Sequence, residues 1–324
     1  MYRKLALFAA IWTFCLIVLG AYVRLSDAGL GCPDWPGCYG KASPIHALEQ
    51  ISAAHADQPH GPVSMAKAWK EMVHRYFASG LGLLILVLMT LAIRQRERLR
   101  QSPMLPIFAF LLVCFQGALG MWTVTLLLKP AIVTGHLIGG MSILAVLVWL
   151  SLRQREWPDL SRESAGLRKF ALLGLLVVAC QIILGGWVST NYAAVVCTDF
   201  PTCQGSLVPN MDFRDAFHVH RELGQTPDGA LLSMANLTAI HWLHRLGALI
   251  TFCYVGWLAW RLYARGVLRS LALGIGVVLL VQVGLGISNV LLHLPLPVAV
   301  LHNAGAALLL TLMVTLNYRL APRR

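Results

Sequence analysis

Eight separate runs of about 20 mainly apolar residues leave a chain few ways to fold, because each run matches the thickness of a lipid bilayer when helical. Here they fall at roughly 5–24, 72–93, 104–127, 131–152, 169–190, 237–260, 268–292 and 297–318. A soluble core has no use for so much apolar sequence. The chain is 57% hydrophobic and 12% charged, against about 25% charged in ordinary soluble domains. In hydrocarbon every backbone polar group must be satisfied within the protein. The expected class is therefore an all-α integral membrane protein with eight transmembrane helices.

The net charge of +12 would point to nucleic acid in a soluble protein. Its placement points elsewhere. Eight spans put both termini on one side, with Arg3, Lys4, Arg94, Arg96, Arg98, Arg100, Arg153, Arg155, Arg162, Arg168, Lys169, Arg261, Arg265, Arg269, Arg319, Arg323 and Arg324. These are 17 of the 26 basic residues, packed into short loops and tails. Such loops face the cytoplasm. Both termini are expected there, with the long loops 25–70 and 191–236 facing outward. The partner implied is membrane lipid, not nucleic acid. The first span has the basic start of a signal peptide. It also has full spanning length and no clear small-residue cleavage site, so it is expected to be retained.

The chain repeats itself. GAYVRLSDAGLGCPDWPGCYG at 20–40 matches GGWVSTNYAAVVCTDFPTCQG at 185–205. His74-Arg75 matches His244-Arg245, QGALG at 116–120 matches QVGLG at 282–286, and His136 matches His302. The offsets for cysteine, first histidine and second histidine are 165, 170 and 166. Each half has four spans, so both enter the membrane the same way. The expected architecture is two tandem four-helix bundles related by a pseudo-two-fold axis along the membrane normal. Residues 1–152 form one half, 153–168 a cytoplasmic linker and 169–324 the other.

Ionisable residues within membrane helices mark functional sites. His74, His136, His244 and His302 fall on the second, fourth, sixth and eighth spans, each expected about 6–12 Å from the outer end at 1.5 Å per residue. Imidazole is a common axial ligand of haem iron, and bundle cores build cofactor sites from facing side chains. Two matched pairs suggest two haem-sized sites, one per half, with Gly80, Gly82, Gly135, Gly139, Gly140, Gly247 and Gly305 removing bulk nearby. Zinc fits less well, because there is no carboxylate cluster or His-x3-His pair. Arg75 and Arg245, with Arg24, are candidate contacts for haem propionates, which suit the guanidinium fork.

The repeat breaks at one informative place. Glu71 stands three residues before His74, while His241 stands three before His244. Residues at i and i+3 share a helix face. Glu71 is therefore the candidate proton acceptor or electrostatic stabiliser. Cys32, Cys38, Cys197 and Cys203 lie in outward loops where disulfides are permitted. Local pairs, crossed pairs and a labile redox role all remain open on spacing alone. Cys15, Cys114, Cys180 and Cys253 read as inert apolar residues. His46, His55, His60, His218 and His220 read as solvated, and tracts 41–66 and 206–236 as irregular loop.

The stretches EMVHR (Glu71 to Arg75) and GLGCPDWPG (Gly29 to Gly37), with the paired cysteines and four histidines, resemble the haem A synthase family over nearly the whole chain. That resemblance implies oxidation of the C8 methyl of haem O to a formyl group, giving haem A for terminal oxidases. It implies that His244 and His302 ligate a resident haem b. It implies that His74 and His136 frame the substrate haem O beside Glu71. The implied partners are haem O, the haem O synthase and an electron donor or acceptor; a homo-oligomer is compatible with such a chain. The histidine pairs alone also fit a di-haem electron-transfer cytochrome or a haem carrier, neither of which needs Glu71.

Overall fold

The computed structural model describes residues 1–158, 160 and 166–322, and every regular element among them is helical. Ten α-helices follow in order: α1 (Tyr2–Leu25), α2 (Leu48–Asp57), α3 (Met65–Arg94), α4 (Arg96–Leu99), α5 (Met104–Thr125), α6 (Pro130–Arg153), α7 (Leu167–Thr190), α8 (Met234–Ala264), α9 (Arg269–Leu291) and α10 (Leu296–Leu320). All but α2 and α4 are long and apolar enough to cross a membrane, which gives the eight spans expected. Arg162, Arg323 and Arg324, and residues 159 and 161–165 of the expected linker, lie outside the described residues.

Polar turns lengthen two spans beyond their apolar runs. α3 starts at Met65 instead of 72 because Ser64 caps it, its hydroxyl accepting from the Lys67 N–H. α8 starts at Met234 because Ser233 and Asn236 form a reciprocal capping box. Such caps satisfy backbone donors that the helix end leaves free. Pro130 opens α6, and Pro297 lies in the first turn of α10 behind the N-cap Pro295, where a missing N–H costs nothing. One reading needs correction: tract 41–66 is not irregular throughout. Pro44–Ala47 forms a 3-10 turn that runs into α2, which tucks Ile51 under the loop beside Met72.

The helices pack as two rings. In the first, α1 touches α3, α3 touches α5, α5 touches α6, and α6 returns to α1. In the second, α7, α8, α9 and α10 close in the same cyclic order. α1 and α6 also touch α10, and α6 touches α7, so Ala307, Leu310 and Val314 of α10 join the core of the first ring. Arg24 bridges the rings at the loop end, donating to the Ser189 carbonyl at 2.8 Å and lying 4.3 Å over the Tyr192 ring. Cys15, Cys114, Cys180 and Cys253 lie exposed on the helix surfaces.

The two disulfide loops fold alike. Cys32 bonds Cys38, and Cys197 bonds Cys203. Each second cysteine opens a tight turn, Cys38–Lys41 and Cys203–Ser206, whose ends bridge as antiparallel pairs. The central residues are Tyr39-Gly40 and Gln204-Gly205, all at positive φ. Two positive-φ positions define a type I′ turn, which favours glycine at the second. Asp34 holds the first turn, accepting from the Tyr39 and Gly40 N–H groups at 2.6 Å each. Asp199 holds the second, accepting from Thr202 Oγ1, Gln204 N and Gly205 N. These donors, Thr202 first, hold the Asp199 carboxyl down at about 2.

Candidate functional site

The ring order decides how the histidines meet. α3 packs between α1 and α5, and α6 packs between α5 and α1, so α3 and α6 stand diagonally. His74 and His136 therefore approach across the bundle, close enough to interact electrostatically. In the second ring α8 and α10 are the diagonal pair, and His244 and His302 interact likewise. All four imidazoles are enclosed by protein yet keep accessible surface. His241, by contrast, is buried at 5% exposure.

Each ring is seated on a glycine of the preceding membrane-spanning helix. A methyl group on Gly20, Gly120, Gly185 or Gly286 would lie 3.0–3.2 Å from Cε1 of His74, His136, His244 or His302 respectively. The glycines singled out from sequence have other partners. Gly139, Gly247 and Gly305 each abut a glutamine side chain, of Gln116, Gln181 and Gln282. Gln116 and Gln282 open the repeated QGALG and QVGLG, but the match gives them no role, and Gln181 stands outside it. Their amides donate to the backbone carbonyls of His136 at 2.5 Å, His244 at 3.1 Å and His302 at 2.9 Å. Gln181 Nε2 also lies 3.0 Å from His244 Nδ1, and His302 Nδ1 lies 3.2 Å from the Gln282 carbonyl.

Glu71 is buried at 5% exposure and its carboxylate is engaged on both oxygens. Oε2 accepts from the Cys32 N–H at 2.9 Å, and Oε1 accepts from Arg75 Nη2 at 2.5 Å. Arg75 Nη1 donates to the carbonyls of Asp34 at 2.8 Å and Gly37 at 2.5 Å. Glu71 and Arg75 thus clamp the first disulfide loop over His74. Gly31 permits this: a methyl there would strike the Lys67 and Ala68 backbone. Arg245 does the same in the second ring, donating to Thr202 O at 2.8 Å and Cys197 O at 3.3 Å, with Nε 3.4 Å from His241 Nε2. The guanidiniums face loop carbonyls, a use no sequence pattern announced. Among the described residues no three His, Cys, Asp or Glu side chains gather as a metal cluster.

The fold and site define a class: a multi-pass membrane protein whose two helix rings each carry a diagonal pair of imidazoles under a disulfide loop. Comparison with known proteins narrows this. The COX15-CtaA family model, described as cytochrome oxidase assembly protein, matches residues 3–314. A heme A synthase of Shewanella oneidensis is 46% identical over 95% of this chain and 93% of its own. One from Halalkalibacterium halodurans is 26% identical, covering 96% and 95%. The heme A synthase COX15 of Arabidopsis thaliana is 26% identical, covering 96% of this chain and 73% of its own. The chain belongs to the COX15-CtaA family.

Proposed function

We propose that this chain is a haem A synthase, an oxidoreductase that converts the C8 methyl of haem O to a formyl group. The observation that carries the reading is the pair of diagonal imidazole sites, set in a chain 46% identical to a heme A synthase. Haem fits the residues present. Opposed imidazoles across a bundle suit bis-histidine ligation, and the glycine seats leave each ring space that a side chain would fill. The two rings are proposed to be related by a two-fold axis along the membrane normal, as 1–152 and 169–324 joined by a cytoplasmic linker. Both termini are then cytoplasmic in a bacterial inner membrane.

In this reading His244 and His302 hold a resident haem b, whose bound iron supplies one-electron redox chemistry. His74 and His136 bind and orient the substrate haem O. The membrane setting suits its isoprenoid tail. Glu71 stands on the His74 face of α3 and is the proposed proton acceptor of the substrate site. Arg75 and Arg245 contribute positive charge toward propionates while holding the loops that keep water out. An electron partner and the haem O synthase complete the proposed set of partners.

The test is haem extraction and chromatography from membranes of a host that makes haem O but no haem A, with and without this protein. New haem A, or the alcohol, supports the reading. Stoichiometric haem b with haem O unchanged, in membranes supplied with redox partners, overturns it in favour of an electron-transfer cytochrome or a carrier.

A further inference from the structure

Three of the four histidine seats share one detailed pattern, and the fourth lacks it. On α5, α7 and α9 a glutamine precedes the seating glycine by four residues: Gln116 and Gly120, Gln181 and Gly185, Gln282 and Gly286. On the facing helix a glycine follows the histidine by three: His136 and Gly139, His244 and Gly247, His302 and Gly305. The glutamine reaches over that glycine, too close for any side chain there, and donates to the histidine carbonyl. Each histidine backbone is thereby tied to the neighbouring helix beside its ring. At His74 both parts are replaced. Leu16 stands four residues before Gly20, and Phe77 stands three after His74. The seat remains, since Gly20 still meets the ring, but the tie is gone. The nearest polar contact between α1 and α3 is Trp12 Nε1 donating to Phe77 O at 3.2 Å. Among the described residues Nδ1 has no hydrogen-bond partner in either His74 or His136, so these two differ in the backbone tie alone.

We infer that Gln116, Gln181 and Gln282 are positioning residues that latch His136, His244 and His302, and that unlatched His74 is the ligand that yields when haem is loaded and released. The inference rests on the proposed haem-binding reading and deepens it. A ligand's orientation is tuned by the groups behind it. A resident cofactor needs two fixed ligands. A substrate that must leave after every turnover needs one that gives way. The ring of His244 and His302 has two latches, and the ring of His74 and His136 has one.

The test uses the full-length protein purified from a haem O-producing host, with transfer of bound haem to excess apomyoglobin as the readout. Gln181→Leu and Gln282→Leu should each speed loss of the resident haem about tenfold, the worth of one buried hydrogen bond. They should also shift the low-spin ferric EPR signal, which reports imidazole orientation. Gln181→Asn should recover part of the effect. Leu16→Gln combined with Phe77→Gly should install the missing latch and slow release from the substrate ring about tenfold. Unchanged release in that variant, with normal helical content, overturns the role given to His74. If it does not accumulate, the glutamine variants decide: wild-type release rates and EPR signal in both refute the latch. His302→Ala separates the two levels. Full retention of haem there sinks the haem reading itself, whereas haem loss with inert glutamine variants sinks the latch alone.

Discussion

Replacing Arg75 by alanine should open the first disulfide loop and leave the second shut. The guanidinium makes three short contacts: to Asp34 O at 2.8 Å, Gly37 O at 2.5 Å and Glu71 Oε1 at 2.5 Å. Hydrogen bonds to a charged group contribute about 1.5–3 kcal/mol each. Counting conservatively, since the freed carbonyls gain water, the loss is about 3 kcal/mol, or a roughly hundredfold larger open population. Glu71 would also lose its cation while it stays buried, which adds to the cost. The Cys32 amide reports this directly, because it donates to Glu71 Oε2. Hydrogen exchange with mass spectrometry should show that amide exchanging about a hundredfold faster in Arg75→Ala, and comparably in Glu71→Ala. Arg75→Lys should fall between, because an ammonium cannot fork to loop and carboxylate together. The loop at 197–206, held by Arg245, is the internal control. Exchange at Cys32 within threefold of wild type would refute the clamp.

Other outcomes follow from the same geometry. Gly185→Ala places a methyl 3.0 Å from His244 Cε1 and should lower the haem-to-protein ratio, while Gly274→Ala, which meets nothing within 4 Å, should not. Non-reducing peptide mapping should recover Cys32 with Cys38 and Cys197 with Cys203, and no peptide joining the two loops. The Asp199 carboxyl sits lowered at about 2, so its hold on the second turn is full above its ordinary value near 3.8 and is lost as pH falls through about 2. Protection of the Gln204 and Gly205 amides, corrected for intrinsic exchange, should fade over that window and be absent in Asp199→Asn at neutral pH.

Hydropathy made the eight spans legible, because a bilayer demands long apolar helices whatever their tertiary partners. The repeat was legible for the same reason that it matters: both rings need a cysteine loop, a histidine-arginine step and a second histidine in order. The role of the glutamines was not legible, although Gln116 and Gln282 open the repeated QGALG and QVGLG. In an apolar helix a lone glutamine reads as a tolerated polar residue until it is set against the glycine four positions on and the glycine after the facing histidine. α2 escaped because LEQISAAHAD is short and polar, and its one buried anchor, Ile51, docks on a surface that sequence does not display. Arginine beside a candidate ligand suggests anions, so Arg75 and Arg245 read as propionate contacts, and their hold on the loop carbonyls carries no such signal. That the loops fold back to present carbonyls depends on the turns at Tyr39-Gly40 and Gln204-Gly205. Distant backbone geometry of that kind leaves no local signature.

The contact between α6 and α10 gives each ring an inward and an outward histidine. His136 and His302 ride on helices that touch one another, at an axis spacing of about 8–10 Å for packed helices. His74 and His244 ride on α3 and α8, the helices at the far flanks. Electrons exchanged between the rings would tunnel across that shared seam without any other protein in between. Traffic of large molecules would use the flanks. Under the proposed latch, haem would load past the flank that carries the untied histidine, from lipid, the phase in which a tailed porphyrin travels.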